Sequence, residues 1–311
     1  MSRVVVKASV VLAAVLLSAA VGAVTRFEVP FGVEVSGIEN RYSTFAVFTR
    51  PNRLLDVKLI DLAGSDAQIL FDGVPISAAG QTVNVRMPET PGTHSLQISN
   101  GAGEAMQLNV FVMWVKDDNA FGMLNGYRIG DYPGERFKGL AIYDPPSAFV
   151  EVTRENADTP VSPNFTLGQF VCKQGSGYPK YLVLRPELVQ KLEVVLGELS
   201  AVNPAVTGLT VMSGYRTPAY NKGIGNGQYS RHVWGGAADV YVDEDGNGVM
   251  DDLNGDGRVS RADSTWLAGF VDGLERKDAF GDLIGGIGTY DSTPSHGPFV
   301  HVDARGYTAR W

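Results

Sequence analysis

The chain has 311 residues, 44% of them hydrophobic and 19% charged, which is enough for two domains with a core each. Its 34 acidic residues outnumber 26 basic ones, and the net charge of −8 argues against a nucleic-acid surface, which needs a basic stripe. The single cysteine, Cys172, excludes an internal disulfide and a thiolate metal site, so a metal here is held by nitrogen and oxygen.

Residues 1–23 read as a secretory signal. Arg3 and Lys7 give a positive start, Ala8 to Val21 is an apolar run, and Val21-Gly-Ala23 offers small residues for cleavage. The rival reading, an uncleaved anchor, is disfavoured because the run is short for a span of ~20 residues and is interrupted by Ser18. No later segment reads as a span. The mature chain is therefore expected outside the cytoplasm, in a periplasm or beyond the cell, with no stable membrane span.

Residues 24–116 read as an all-β, sandwich-like domain. Val83, Val85 and Met87 alternate with other side chains, as do Leu96 and Ile98, and Met106, Leu108, Val110, Val112 and Trp114. Turn clusters at Ala78-Ala-Gly80, Glu89-Thr-Pro-Gly92 and Asn100-Gly-Ala-Gly103 separate these runs, the spacing of a small sandwich. His94 has no acidic or histidine neighbour in sequence and reads as a surface or cap residue. Residues 117–163, rich in Gly, Pro, Asp and Asn, read as a connecting segment with short strands of its own.

Residues 164–311 have an α+β pattern, a small antiparallel sheet with helices grouped around it. Pro186 opens a helix on which Leu188, Leu192, Val195, Leu196 and Leu199 recur at helical spacing. Gly208 to Met212, Ala237 to Val242 and Phe299 to Asp303 read as strands. A further helix is expected to turn Trp266, Leu267, Phe270, Val271 and Leu274 to one face.

Two motifs in this region hold three of the four histidines: Ser230-Arg-His232-Val-Trp-Gly-Gly-Ala-Ala-Asp239 and His296-Gly-Pro-Phe-Val-His301-Val-Asp303. On a strand, residues two apart share a face, so His301 and Asp303 point one way while Val300 and Val302 enter the core. Gly235-Gly236 lets the chain turn sharply between His232 and Asp239. If the two strands are neighbours, His232, Asp239 and His301 converge. Two imidazoles and a carboxylate supply three zinc ligands and leave a fourth position open, the pattern of a catalytic site.

Between the motifs lies an acidic insert, residues 243–263. Asp252, Asn254, Asp256, Ser260 and Asp263 fall at positions 1, 3, 5, 9 and 12 of an EF-hand loop, with Gly257 at the sharp turn and the Arg258 carbonyl at position 7. The loop resembles those of dockerin-type repeats. Asp243, Asp245 and Asn247 begin a second, less complete set. Calcium is expected here as a structural ion that orders the insert beside Asp239.

The motif Ser-x-His-x-x-Gly-x-Ala-x-Asp, followed by a histidine on a short strand, resembles the zinc D-alanyl-D-alanine carboxypeptidase family of peptidoglycan peptidases, whose fold is shared with the hedgehog signalling domain. Ser213-Gly-Tyr-Arg216-Thr-Pro-Ala-Tyr-Asn221 and Phe165-Thr-Leu-Gly-Gln-Phe170 add to the resemblance, which covers about residues 160–311. It implies that His232, Asp239 and His301 bind zinc and that a zinc-activated water hydrolyses an amide in a peptidoglycan stem peptide. It implies that Arg216 takes the substrate carboxylate, with Ser230 and Tyr215 beside it in the substrate site. Many relatives have a carboxylate base three residues before the last ligand, where this chain has Pro298. His296 and Asp303 are then the candidates for moving the proton, with Asp303, two residues past a ligand, alternatively orienting a neighbour. A catalytically silent wall-binding module and a zinc peptidase with non-wall substrates are the alternatives.

Overall fold

The computed structural model describes residues 27–117 and 122–311. The expected signal, residues 1–23, lies outside the described residues. Among these no helix is long and apolar enough to cross a membrane.

Nine strands build the N-terminal part: β1 (Glu28–Val35), β2 (Ile38–Tyr42), β3 (Thr44–Thr49), β4 (Leu54–Ile60), β5 (Gln68–Phe71), β6 (Val74–Ile76), β7 (Thr82–Arg86), β8 (Gly92–Ser99) and β9 (Ala105–Val112). They form two sheets, ordered β2-β1-β4-β7 and β3-β9-β8-β5-β6. Alternation decides what each face does. On β4, Leu55, Val57 and Leu59 are buried while Leu54, Asp56 and Lys58 are exposed. Leu96, Ile98, Met106, Leu108 and Val110 answer from the other sheet, and together they make one core. Burying each such side chain contributes about 1.5–3 kcal/mol. The sandwich expected from the sequence is present. His94 is not the solitary residue its sequence neighbours suggest, because strand pairing brings Asp72 Oδ2 to 2.7 Å from its Nδ1.

Short strands follow: β10 (Trp114–Val115), β11 (Met123–Leu124), β12 (Tyr127–Arg128), β13 (Ala148–Val152) and β14 (Lys180–Leu182). β13 lies between β10 and β14, tying the end of the sandwich to what comes next. The remaining elements are α1 (Pro186–Val202), β15 (Thr210–Ser213), α2 (Pro218–Gly223), β16 (Ala237–Tyr241), α3 (Arg261–Arg276), β17 (Gly286–Tyr290), β18 (Phe299–Asp303) and β19 (Ala309–Arg310). Their sheet runs β15-β16-β18-β17-β19, antiparallel except for the parallel pair β17–β19.

α1 buries Leu188, Leu192, Val195, Leu196 and Leu199, as their spacing predicts. It also buries Lys191 completely, with Nζ donating to the Asp303 carbonyl at 3.0 Å and lying 3.7 Å from Glu275 of α3. α3 corrects one expectation. Its buried stripe is Leu267, Ala268, Val271 and Leu274, whereas Trp266 is 37% exposed and stacks on the half-buried Phe270 beside that stripe. Positions 266 and 270 form a neighbouring i, i+4 row, about 100° around the helix from 267 and 271.

The register of the sheet assembles the site. Ser213 pairs with Asp239, Asp239 with His301, and His301 with Gly288, so these four form one row on one face. Val240, Val300 and Val302 take the other face and are buried in the core.

Candidate metal centre

Asp239 and His301 are delivered by the paired strands β16 and β18, and His232 by a 3-10 turn, Arg231–Trp234. The turn ends at Gly235, whose φ of +64° favours glycine. A Cβ there would also lie 2.1 Å from the Val183 carbonyl oxygen.

The turn is gripped from a distant part of the chain. Tyr132 Oη donates to the Val233 carbonyl at 3.0 Å, Trp234 Nε1 to the Asp144 carbonyl at 3.1 Å, and Arg231 Nη1 to the Ile142 carbonyl at 2.9 Å. Tyr143, Val233 and Trp234 form a buried cluster of their own, and the Arg231 guanidinium lies 4.8 Å from the Tyr143 ring centre. The segment that reads as a connection by composition therefore holds Arg231, Val233 and Trp234. The remaining residue of the turn, His232, meets the two strands.

The donor atoms converge. His232 Nε2 is 3.1 Å from both Asp239 Oδ1 and His301 Nδ1, and His301 Nδ1 is 3.0 Å from Asp239 Oδ1. The other ring nitrogens fix the tautomers. His232 Nδ1 lies 2.7 Å from the Gly214 carbonyl, which only accepts, so Nδ1 carries the proton and Nε2 the lone pair. His301 Nε2 lies 3.1 Å from Asp303 Oδ2 and donates to it, leaving the lone pair on Nδ1. Two lone pairs and a carboxylate oxygen thus face one another, an arrangement that calls for a cation between them. A tetrahedral zinc with bonds of about 2.0–2.1 Å needs donors about 3.3 Å apart, close to the spacing found. The residues fit zinc, and the Gly214 and Asp303 contacts are the outer bonds that orient metal-binding imidazoles.

Electrostatics agree with this reading. Burial pushes the His232 imidazolium toward its neutral form. Burial acts the same way on His301, but the Asp239 and Asp303 carboxylates outweigh it and hold that pKa above its ordinary value. Burial alone would raise the Asp239 carboxyl, and the two imidazoles reverse this and hold it below the usual carboxylate range. A proton and a metal ion therefore compete for one place.

The centre opens into a cleft of about 1140 Å³ bordered by Arg216, Ser230, His296, Pro298, Arg305 and Trp311, among others. Arg216 Nε donates to Ser213 Oγ at 2.9 Å and its Nη2 is bonded to Asp239 Oδ2, while Nη1 has no hydrogen-bond partner among the described residues. Ser230 stands at the start of the ligand-bearing turn, on the cleft wall. His296 lies in the β17–β18 turn, its Nδ1 2.8 Å from the Gly297 carbonyl, so its lone pair is on Nε2.

One expected role is corrected, and one is narrowed to its orienting alternative. Tyr215 does not border the cleft: it is 1% exposed, and its hydroxyl is 3.0 Å from the Tyr132 hydroxyl in the core. Asp303 is not free to move a proton. It is fully buried and already bonds His301, Gly286 N at 2.8 Å and Arg305 Nε at 2.8 Å. Sequence reasoning missed Arg305, which stands two residues from Asp303, and Tyr132, for which the sequence offers no signal.

The acidic insert divides in two. Asp243 and Asp245 bring carboxylate oxygens within 4.8 Å of each other and of Asp251, a residue the sequence reading did not single out. Asn247, expected as their companion, accepts the Val249 N–H at 2.8 Å. In the 252–263 loop, Asp252 accepts from Gly255 and Gly257, and Asp256 from Arg258. Asn254 Oδ1 accepts from Asp256. Ser260 caps α3, and the fully buried Asp263 accepts from Leu253, Asn254 and Ser260. Asp243, Asp245 and Asp251 accept backbone N–H bonds as well, from Asn247, Gly248 and Glu244.

Residues 163–253 match the model of the Peptidase M15 family and constitute a domain of that family, which takes in His232 and Asp239 and stops short of His301. No curated protein matches the chain. Among solved structures, a fibronectin(III)-like module of CbhA from Clostridium thermocellum is similar over 26% of this chain and 94% of its own, at 16% identity and a TM-score of 0.18.

Proposed function

We propose that this Peptidase M15 domain is a zinc-dependent peptidase that hydrolyses amide bonds in peptidoglycan stem peptides, in the manner of a D,D-carboxypeptidase or endopeptidase. The observation that carries the reading is the convergence of His232 Nε2, Asp239 Oδ1 and His301 Nδ1 within 3.0–3.1 Å at the floor of an open cleft. Zinc held there supplies a Lewis acid for the scissile carbonyl and lowers the pKa of a water toward ~7. The protein supplies the rest. Gly214 and Asp303 fix the two imidazoles, and Arg216, steadied by Asp239 and Ser213, keeps Nη1 for a substrate carboxylate. With Asp303 occupied, His296 Nε2 is the group we assign to accept and return the proton. The secretory pattern of residues 1–23 supports action outside the cytoplasm, where peptidoglycan lies.

The test is digestion of purified peptidoglycan, with products resolved by mass and bound metal measured, for wild type and His232→Ala. Wild type is expected to hold zinc and release or separate stem-peptide residues, and the variant to do neither. Zinc without cleavage would favour the silent binding module, for which Pro298 on the cleft wall in place of a carboxylate speaks. Cleavage of unrelated peptides but not of stem peptides would favour the non-wall substrate.

We further propose that the acidic insert takes up calcium, beginning at Asp243, Asp245 and Asp251. The insert supplies Gly248, Val249 and Met250 to the cleft wall, so ordering it steadies the site. Calcium at 100 times its Kd is expected to add about 2.7 kcal/mol of stability and to raise Tm by several degrees, as read by melting in calcium against EGTA. Superimposable melting curves would remove calcium from the account.

A further inference from the structure

Beside the metal centre stands a rigid, half-exposed aromatic wall that the hydrolysis itself does not use. Trp311 is 48% exposed and Tyr290 37% exposed, and both border the cleft. The indole centre lies 5.0 Å from the imidazole centre of His301 and 5.4 Å from the Arg305 guanidinium, so a ligand over the metal is within reach of the part of the ring that stays exposed.

The ring is held in place before any ligand arrives. Trp311 Nε1 donates to Tyr290 Oη at 2.7 Å. The Trp311 N–H donates to the Ile287 carbonyl at 3.3 Å, and its carbonyl accepts from Thr289 N–H at 3.1 Å. The indole lies directly over Gly288, His301's partner in the sheet row, where a Cβ would come within 2.4 Å of Nε1. Tyr290 is itself fixed, stacked on Phe299 with ring centres 4.5 Å apart. A large aromatic surface already fixed loses little entropy on binding and gains by being covered.

We propose that Trp311, backed by Tyr290, is a stacking platform for a sugar ring, and that it makes the domain prefer stem peptides still attached to their glycan. The proposal rests on the peptidoglycan reading above. The small alanine side chains of a stem peptide leave a flat indole uncovered, whereas the C–H face of a pyranose covers it. Asn226, Gln228 and Ser295 border the same cleft and offer amide and hydroxyl groups to a sugar's rim. Trp311 is thus a specificity-determining residue, distinct from the groups that bind metal or move protons.

The experiment compares kcat and KM of the full-length protein on a disaccharide-linked stem peptide and on the same peptide freed of its glycan. Wild type, Trp311→Ala, Trp311→Phe and Gly288→Ala are assayed, with bound zinc measured for each. Gly288→Ala keeps the indole but pushes it off its seat. In Trp311→Ala and Gly288→Ala, the kcat/KM ratio of linked over free peptide is expected to fall about tenfold, through KM, with Trp311→Phe retaining most of it. An unchanged ratio overturns the platform, as does a loss confined to kcat with loss of zinc, which would make Trp311 a support for His301. If wild type cleaves neither substrate, the peptidase reading fails by itself. Binding then decides the platform: the linked peptide must quench the fluorescence of wild type but not of Trp311→Phe, and absence of that difference overturns it.

Discussion

Asp303→Ala is expected to lower the stability of the metal-free protein by about 3 kcal/mol or more and to weaken zinc binding about 10–100-fold. Asp303 has no solvent exposure, and its carboxylate binds His301 Nε2, Gly286 N–H and the Arg305 guanidinium together. Without it, the Arg305 side chain, 14% exposed, loses its counter-charge, and His301 loses the acceptor that fixes its tautomer. Urea unfolding measures the first loss, and competition with a chromogenic chelator the second. A variant that binds zinc as wild type does would show that His301 needs no such orientation. An acid signature accompanies the loss. Burial alone would raise the Asp303 carboxyl, but His301 and Arg305 hold it below the usual carboxylate range. A depressed carboxyl contributes stability above its unfolded pKa of about 3.9 and loses it as pH falls below that value. The stability of the variant should therefore decline less steeply below about pH 4 than that of wild type.

Local patterns in the sequence carried much of this site. The period of two on β18 puts His301 and Asp303 on one face and Val300 and Val302 in the core, and it needs no knowledge of the rest of the fold. The same period makes β4 and β9 legible as sandwich strands. The spacing left Asp303 two roles, carrying a proton or orienting a neighbour, because the decision lies with Arg305, Gly286 and the Lys191 amine on α1, brought together by folding. Segment 129–144 was opaque for another reason. Tyr132, Phe137, Ile142 and Tyr143 follow no helical or strand period, since they pack around a 3-10 turn, and their Gly- and Pro-rich surroundings read as a loop. Tyr215 failed likewise: an aromatic residue in a polar loop looks available until the loop is seen folded over Phe170, whose carbonyl accepts the Tyr215 N–H at 2.9 Å. In the acidic insert, spacing alone could not tell which carboxylates fold toward a common point, because every one of them also accepts backbone N–H groups of its own loop.

Asp239→Asn is expected to be the most damaging isosteric change in the chain. Asp239 Oδ1 faces the two imidazole nitrogens, and Oδ2 faces Arg216. An asparagine can serve one side only. With its oxygen toward the imidazoles, its NH2 opposes the Arg216 guanidinium, donor against donor. With its oxygen toward Arg216, its NH2 fills the place of a ligand oxygen and no lone pair is left there for a metal. Both orientations also remove the negative charge that offsets Arg216, whose side chain is 13% exposed. Zinc affinity is expected to fall more than about 100-fold, beyond the effect of losing an outer orienting bond. At micromolar zinc, kcat/KM should fall on the order of 10³-fold, a loss of about 4 kcal/mol of transition-state stabilisation. Metal content after dialysis against buffered zinc, followed by kinetics across a zinc titration, separates the two contributions. Recovery of kcat at high zinc would mean that the carboxylate serves chiefly to hold the ion. A kcat that stays low in the zinc-loaded variant would mean that its charge, and the Arg216 geometry it maintains, act on the reaction itself. Stoichiometric zinc with undiminished activity would remove Asp239 from the centre altogether.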